Sequence, residues 1–160
     1  MASEQPRAVG RRITWAALVV LSMTAVIAQE AKADAALSPD QQAVLEVLED
    51  YTGFAPYDAG IILPVQITPD VFDSLTFIDT RTEEEFATAT IKGAMHIEWR
   101  DVFARIDEIP TDNKVVLFCN TGALSAQSAF GLRALEFENV LILQTGFEGW
   151  MQHAASVDKP

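Results

Sequence analysis

The chain has 160 residues, of which 49% are hydrophobic, and a formal net charge of −12 at pH 7. That apolar content is too high for an intrinsically disordered chain, and the length is enough for one domain with its own core. The acidic charge, with no local basic patch in the sequence, argues against nucleic acid and against an anionic membrane surface as binding partners.

The N-terminal segment, residues 1–33, is organised like an export signal. It has an arginine-rich start, an apolar run from Ile13 to Ala28, and a small-x-small cleavage site at Ala31–Ala33. We predict a cleaved signal peptide and an exported protein, located in the bacterial periplasm. An uncleaved N-terminal anchor is the alternative, and only then would the mature protein contact a membrane. Without this segment 7 basic and 21 acidic residues remain, a net charge of −14.

The segment before the main domain, residues 34–64, is predicted to hold one helix and a linker. Ser38 at the N-cap position and Pro39 at the first helical position start a helix that continues through Tyr51. Gly53 is expected to end it. The irregular remainder, rich in aromatic and turn-forming residues, is either an arm on the main domain or part of a substrate wall.

From residue 65 to residue 156 short apolar runs alternate with helical patterns. The runs predicted as strands are Val65–Ile67, Thr76–Asp79, Ala94–Ile97, Lys114–Phe118 and Val140–Leu143. The helical patterns begin at Thr68, Thr82 and Val102 and span Ser125–Leu135 and Phe147–His153. This alternation predicts βαβ units, a parallel sheet and a single α/β domain.

Cys119, the only cysteine, directly follows the apolar strand Lys114–Phe118 and precedes a short loop and a helix. The carboxyl edge of a parallel sheet is where open α/β folds bind ligands. Unpaired N–H groups of the loop and the first helical turn stabilise an anion there, and they lower a thiol pKa from its usual value of about 8.5. The sequence therefore predicts a reactive thiol, with a buried cysteine that packs as a small hydrophobe as the alternative.

Four segments, taken in order and spacing, resemble the rhodanese (sulfurtransferase) homology domain. They are Phe77–Arg81 with Glu85-Phe86, then Ile91–Ala94, then Val115–Ser125, and finally Asn139-Val140 with Thr145–Trp150. The resemblance runs from about Val65 to His153. It implies an α/β fold with a central parallel sheet and helices on both faces, and a reaction that needs no cofactor.

The resemblance also implies a mechanism in which Cys119 is the nucleophile and the carrier of a persulfide. The sulfur would come from a small-molecule donor, thiosulfate or a persulfide, and pass to a thiophilic acceptor such as cyanide or a thiol. Backbone amides of the substrate-binding loop would hold the persulfide. That loop consists of Asn120, Thr121, Gly122, Ala123, Leu124 and Ser125. Gly122 would allow a tight turn, and Ser125 is expected first to cap the next helix and second to donate a hydroxyl hydrogen bond.

Asp79 and Arg81 match the Asp-x-Arg that helps to hold the active-site region in that family. Arg81 either points a charge at an anionic substrate or pairs with Asp79 or Glu85, and we favour the ion pair. Trp150 is expected to pack in or beside the core. No histidine has a cysteine or another histidine at metal-ligand spacing, so we expect no metal site.

The chain departs from the pattern of the family at several positions. A basic residue is common in the active-site loop of the family, whereas Asn120 and Leu124 leave this loop without a cation. Thr90 stands where the family usually has histidine, and Ala89 and Glu136 replace two glycines. Each lost charge-assisted hydrogen bond is worth roughly 1–3 kcal/mol. We therefore expect weak activity on thiosulfate and a neutral or protein-bound persulfide as the physiological donor.

Three other functions fit parts of the pattern. A phosphatase or arsenate reductase of the same superfamily needs an arginine at the end of the loop, and no arginine follows Cys119 until Arg133. A non-catalytic rhodanese-like binding module often lacks the cysteine that this chain keeps. A thiol or persulfide redox sensor would use the same cysteine. Uptake of sulfur from thiosulfate by Cys119 distinguishes the enzyme from the binding module.

Overall fold

The computed structural model describes residues 37–57 and 60–156. The predicted signal peptide, residues 1–33, lies outside the described residues, and both its cleavage and export remain predictions. The chain divides into two units, Met1–Glu46 and Val47–Pro160. No helix within the described residues is both long enough and apolar enough to cross a membrane.

Helix α1, Pro39–Phe54, begins where the sequence predicts. The amide N–H of Gln41 donates to the hydroxyl of Ser38 at 3.2 Å, and the side chain of Gln41 accepts from the Ser38 amide at 2.9 Å, as in a capping box. The prediction that Gly53 ends the helix is wrong, because the helix continues to Phe54. Pro56 supplies the stop, since a residue before proline is disfavoured in the helical conformation.

The segment around residue 65 differs from the prediction. Val65–Ile67 is not a strand: Pro64–Gln66 forms a 3-10 helix, and the edge strand β1 is instead Ile61–Ile62. Proline is favoured at the first position of a helix, and the Gln66 side chain accepts a hydrogen bond from the Leu63 amide at 2.8 Å. The sheet therefore includes residues before the predicted domain start, and the domain boundaries themselves stay a prediction.

The remaining elements follow the predicted alternation with shifts of one to three residues at most of their ends. They are α2 Pro69–Phe72, β2 Leu75–Asp79, α3 Glu83–Thr88, β3 Met95–His96, a 3-10 helix Ile106–Glu108, β4 Lys114–Phe118, α4 Ala123–Ala134, β5 Val140–Leu143 and α5 Gly146–Ser156. Hydrogen-bonded turns occupy residues 99–105, where helix was predicted from Val102. Helix α4 starts two residues earlier than predicted.

The described strands form one five-stranded sheet in the order β1-β5-β4-β2-β3. Every strand pair is parallel, and Asp79 at the end of β2 lies opposite Phe118 at the end of β4. The carboxyl ends of the central strands therefore meet at one edge. The prediction of an α/β fold around a parallel sheet is confirmed.

Two apolar layers cover the opposite faces of the sheet. Val115 and Leu117 of β4 pack in a cluster with Leu132 of α4, whereas Val116 and Phe118 pack in a second cluster with Trp150 of α5. Neighbouring residues of a strand point to opposite faces, so helices α4 and α5 lie on different sides. Both layers bury β4 and fix the position from which Cys119 emerges.

Candidate active site

Cys119 is the residue after β4, and the loop that follows it turns directly into α4. Gly122 has a φ of +95°, a left-handed conformation that side chains disfavour, and a Cβ there would lie 3.3 Å from the carbonyl oxygen of Leu143. Glycine thus allows the chain to turn back toward the sulfur within three residues. Cys119 is 3% exposed and is the free cysteine of the chain.

Opposing effects set the pKa of Cys119, and their net result lies below the ordinary thiol value. Burial acts to raise the pKa, but backbone N–H groups of Ser125 and Leu124, with smaller contributions from the Ser125 hydroxyl and the Thr121 amide, lower it further than burial raises it. The amide of Gly122 also donates to the sulfur at 3.2 Å. The loop therefore favours the thiolate, which is the nucleophilic form of cysteine.

Ser125 lies in the first turn of α4 and does not cap it. The N-cap residue is Gly122, which has no side chain, so the prediction that Ser125 first serves as a cap is wrong. The Ser125 hydroxyl contacts the Gly122 carbonyl oxygen at 3.1 Å and the Cys119 sulfur at 3.8 Å. The second predicted role, a hydroxyl donor beside the sulfur, is the one that the geometry allows.

Asp79 and Arg81 form a buried ion pair beneath the loop. The two side chains are 0% and 5% exposed, and the guanidinium donates to Asp79 through Nε at 2.9 Å and through Nη2 at 2.6 Å. The Arg81 amide and the Thr90 hydroxyl donate to the same carboxylate, at 3.0 Å and 2.8 Å. Arg81 therefore makes the ion pair that the sequence analysis favours. Thr90, in place of the histidine usual in the family, supports the carboxylate.

Other contacts occupy most of the remaining guanidinium of Arg81. Nη2 donates to the carbonyl oxygen of Ala89 at 2.6 Å, and the guanidinium carbon lies 4.1 Å from the ring centre of Phe147. Nη1 lies 3.5 Å from the Asn120 side-chain oxygen. Arg81 thus joins β2, the segment before β3, the Cys119 loop and α5.

The side chain of Asn120 contacts the start of α3. Its Nδ2 donates to Glu85 at 2.6 Å, and this hydrogen bond, followed by those from Thr82, holds the pKa of Glu85 below its ordinary value. Thr82 and Glu85 also form the capping box of α3. The side chain that replaces a loop cation in the family pattern therefore ties the loop to α3.

Gly146 supports the loop from the other side, a role that sequence reasoning missed. At the start of α5, amides of Phe147 and Glu148 donate to the carbonyl oxygens of Cys119 and Asn120 at 2.8 Å and 3.0 Å. Gly146 has a φ of +57°, and a Cβ there would collide with the Cys119 carbonyl oxygen and approach that of Asn120 to 2.6 Å. Its place in the glycine-containing ending of the predicted domain was the available signal.

A cavity of about 300 Å³ opens over Cys119. Its wall includes Cys119, Asn120, Thr121, Leu124 and Arg81 among the predicted residues. The other predicted site residues, which lie off this wall, are Asp79, Gly122, Ala123 and Ser125.

Six further residues of the cavity wall were not predicted as site residues, and three of them, Thr80, Thr82 and Glu85, follow strand β2. The other three are Glu98, Trp99 and Arg100. They follow strand β3, whose carboxyl end lies at the same edge of the sheet as Cys119. That placement was the signal available in the sequence.

Two other side chains of the domain, those of Trp150 and His96, make structural contacts. Trp150 is 8% exposed and packs in the second apolar layer, as predicted. The Nε2 atom of His96 lies 2.8 Å from the Arg81 carbonyl oxygen, so this histidine contacts the loop after β2. Among residues 37–57 and 60–156, no group of three or more histidine, cysteine or carboxylate side chains is placed to hold a metal.

Residues 68–153 match the family model of the rhodanese-like domain. A sulfurtransferase from Allochromatium vinosum is 31% identical over 88 residues, which cover 55% of this chain and 82% of that protein. The thiosulfate sulfurtransferase GlpE of Glaesserella parasuis is 27% identical over 86 residues, which cover 54% of this chain and 80% of that protein.

A solved structure shares the fold at low sequence identity. The crystal structure of a rhodanese-related protein from Thermoplasma volcanium superposes with a TM-score of 0.55 and 19% identity, covering 62% of this chain and 94% of that one. The match supports the α/β architecture around the parallel sheet.

Proposed function

Because the chain belongs to the rhodanese-like domain family, we propose that it is a sulfurtransferase that carries sulfur as a persulfide on Cys119. The observation that supports the proposal most is the convergence of loop amides on the sulfur. The N–H of Gly122 lies 3.2 Å away, and the amides of Thr121, Leu124 and Ser125 lower the thiol pKa. Relatives named sulfurtransferase, which the chain covers to about four fifths of their length, support the same function.

The reaction has two steps that balance without a cofactor. In the first, the thiolate of Cys119 attacks the outer sulfur of a donor such as thiosulfate; the new S–S bond forms as the donor S–S bond breaks, and sulfite leaves with the bonding pair. In the second, a thiophilic acceptor such as cyanide attacks the outer sulfur of the persulfide. Thiocyanate leaves, and the thiolate of Cys119 is restored.

The loop amides perform the same task in both steps. The persulfide carries its negative charge on the outer sulfur, and N–H groups held by the tight turn at Gly122 do not have to reorient to stabilise that charge. The buried pair of Asp79 and Arg81, the hydrogen bond from Asn120 to Glu85, and the start of α5 at Gly146 hold the turn in place. These residues position the loop, whereas Cys119 reacts.

The test is turnover of thiosulfate and cyanide, measured as thiocyanate, in the wild-type protein and in Cys119→Ser. The serine hydroxyl is nearly isosteric with the thiol and far less nucleophilic, so we expect turnover to vanish while the circular dichroism spectrum is retained. Equal turnover in the two proteins would contradict the proposal. A wild-type protein that accepts no sulfur from any donor would favour the binding module.

We also propose that the domain acts after export, since an arginine-rich start and an apolar run precede it in the sequence. Expression of the full chain in a bacterium, followed by fractionation and N-terminal sequencing, tests this. Periplasmic protein that begins near Asp34 is expected. Protein with an intact N-terminus in the cytoplasmic fraction would contradict export.

A further inference from the structure

Two arginines, Arg81 and Arg100, line the cavity over Cys119, and their surroundings differ. Arg81 is 5% exposed, and its guanidinium is engaged by Asp79 and by the carbonyl oxygen of Ala89. Moving it toward a substrate would leave a buried carboxylate without its partner, at a large cost. Arg81 is therefore held in place and does not compensate for the missing cation of the loop.

Arg100 is placed to supply the positive charge that the loop lacks. Its side chain is 67% exposed, with Nη1 donating to Glu98 at 2.8 Å and the guanidinium carbon 5.2 Å from the ring centre of Trp99. An exposed ion pair of this kind contributes little to stability. The guanidinium can therefore exchange the Glu98 carboxylate for another anion while it stays over the indole ring.

We propose that Arg100, supported by Trp99, forms an anion subsite at the mouth of the cavity that binds the charged end of an anionic sulfur donor. This inference rests on the proposed sulfurtransferase function and assigns a substrate class to it, an anionic donor in place of the neutral or protein-bound persulfide that the loop sequence alone led us to expect. The donor would place its outer sulfur against the loop amides and its sulfonate, or a comparable anionic group, against Arg100. The cation missing at Leu124 is thus supplied by the segment after β3.

The chemistry of the first step explains why a cation is needed there. A thiolate attacks a dianion when the donor is thiosulfate, and the leaving sulfite gains the electron pair of the broken S–S bond. Negative charge therefore accumulates at both ends of the reacting group. The loop amides stabilise the charge on the sulfur that is transferred. A guanidinium, which matches the oxygens of a sulfonate, stabilises the charge on the leaving sulfite.

Glu98 opposes this function in the absence of a substrate. Its side chain is 22% exposed, it lines the same cavity, and it competes for the Arg100 guanidinium. Removing the charge of Glu98 should free Arg100 and reduce repulsion of an anion. Replacing Arg100 should therefore weaken the reaction of Cys119 with an anion, and replacing Glu98 should strengthen it. A faster reaction in Glu98→Gln cannot result from misfolding.

The test compares two alkylating reagents that differ in charge, iodoacetate and iodoacetamide. Both react when the thiolate forms an S–C bond and iodide leaves, and Cys119 is the only cysteine, so each rate reports this site. Because both reagents react with the same thiolate, the fraction of Cys119 that is deprotonated cancels in the ratio of the two rates. The variants are Arg100→Gln and Glu98→Gln.

The controls come from a second exposed ion pair, Arg105 with Glu108 at 2.7 Å, which does not line the cavity. Arg105→Gln and Glu108→Gln each remove a charge of the same sign as the matching test variant. They show whether an effect arises from the net charge of the protein or from the subsite.

We expect the ratio of iodoacetate to iodoacetamide rates to fall about fivefold in Arg100→Gln, as removal of one nearby charge predicts. The ratio should rise in Glu98→Gln and stay within a factor of two in both controls. In parallel, kcat/KM for thiosulfate should fall about tenfold in Arg100→Gln.

An unchanged ratio in Arg100→Gln, or an equal fall in Arg105→Gln, would overturn the inference. So would an unchanged kcat/KM for thiosulfate in Arg100→Gln if the wild-type protein transfers sulfur. Because alkylation does not require sulfur transfer, a wild-type protein that fails to turn over thiosulfate would count against the proposed function, while the alkylation ratio would still decide whether Arg100 forms an anion subsite.

Discussion

Replacing Asp79 with Asn removes the charge that neutralises Arg81 and leaves its guanidinium buried. Asp79 is 0% exposed and accepts hydrogen bonds from the Arg81 side chain at 2.6 Å and 2.9 Å, from the Arg81 amide at 3.0 Å, and from Thr90 at 2.8 Å. The amide of asparagine has one oxygen where the carboxylate has two, so part of this set loses its acceptor. Breaking a buried pair costs about 3–5 kcal/mol. Domains are stable by about 5–15 kcal/mol, so the variant is expected to fold with much reduced stability.

Denaturation by urea at constant pH and salt measures the loss, provided that the slope is the same in both proteins. The matched control is Glu108→Gln, which breaks an exposed ion pair with Arg105 that solvent already screens. We expect Asp79→Asn to lower the free energy of unfolding by several kcal/mol and the control to remain near the wild type. A loss in Asp79→Asn no larger than in the control would refute the buried pair as the support of the loop.

Three further predictions concern the loop and its neighbours. Ser125→Ala removes a hydroxyl 3.8 Å from the sulfur and should raise the pKa of Cys119, so the pH profile of iodoacetamide alkylation should shift to higher pH; a shift to lower pH, or none, would contradict this role. Gly146→Ala should displace the loop and lower both stability and turnover. Its control is Gly53→Ala, in a helix with open space around it, which should stabilise the protein by about 0.5–1 kcal/mol. Equal melting temperatures for the two variants would argue against the close approach at Gly146. Leu124→Arg adds a second cation beside Arg100 to the wall of the cavity and should lower KM for thiosulfate further, and an unchanged or higher KM would show that more positive charge there does not strengthen binding of the donor.

The lowered pKa of Cys119 also links stability to pH. A group whose pKa is lower in the folded protein adds stability that is complete above its unfolded value, about 8.5, and is lost as the pH falls through the folded value. The free energy of unfolding of the wild-type protein, measured relative to Cys119→Ser, should therefore rise with pH across this window. A difference that stays constant or falls with rising pH would show that the folded protein does not favour the thiolate.

Much of the fold could be predicted because the signals are local. Lys114–Phe118 and Val140–Leu143 are continuous apolar runs of the kind that parallel sheets bury, and the structure has strands at the same residues. Ser38 and Pro39 mark a helix start through side-chain and backbone chemistry within one turn. The strand predicted at Val65–Ile67 failed because pairing partners are distant in sequence: Ile61–Ile62 pairs with β5, and nothing local shows that choice.

The site was predictable where one sequence motif carries it and not where several segments meet. The Cys119 loop lies between a strand and a helix, so its place at the sheet edge follows from the order of elements. Ser125 was misjudged because the helix begins earlier, after a glycine in a left-handed conformation. Arg100 and Gly146 reach the site through tertiary packing, and their distance from Cys119 along the chain gives no measure of this proximity.

The most direct test of the account is the intact mass of the protein after incubation with thiosulfate and again after addition of cyanide. A gain of one sulfur atom, located on Cys119 by peptide mapping and lost on addition of cyanide as thiocyanate appears, is the predicted result. Thiocyanate that forms while the protein never carries the extra sulfur would contradict the persulfide on Cys119, and so would the same gain in Cys119→Ser.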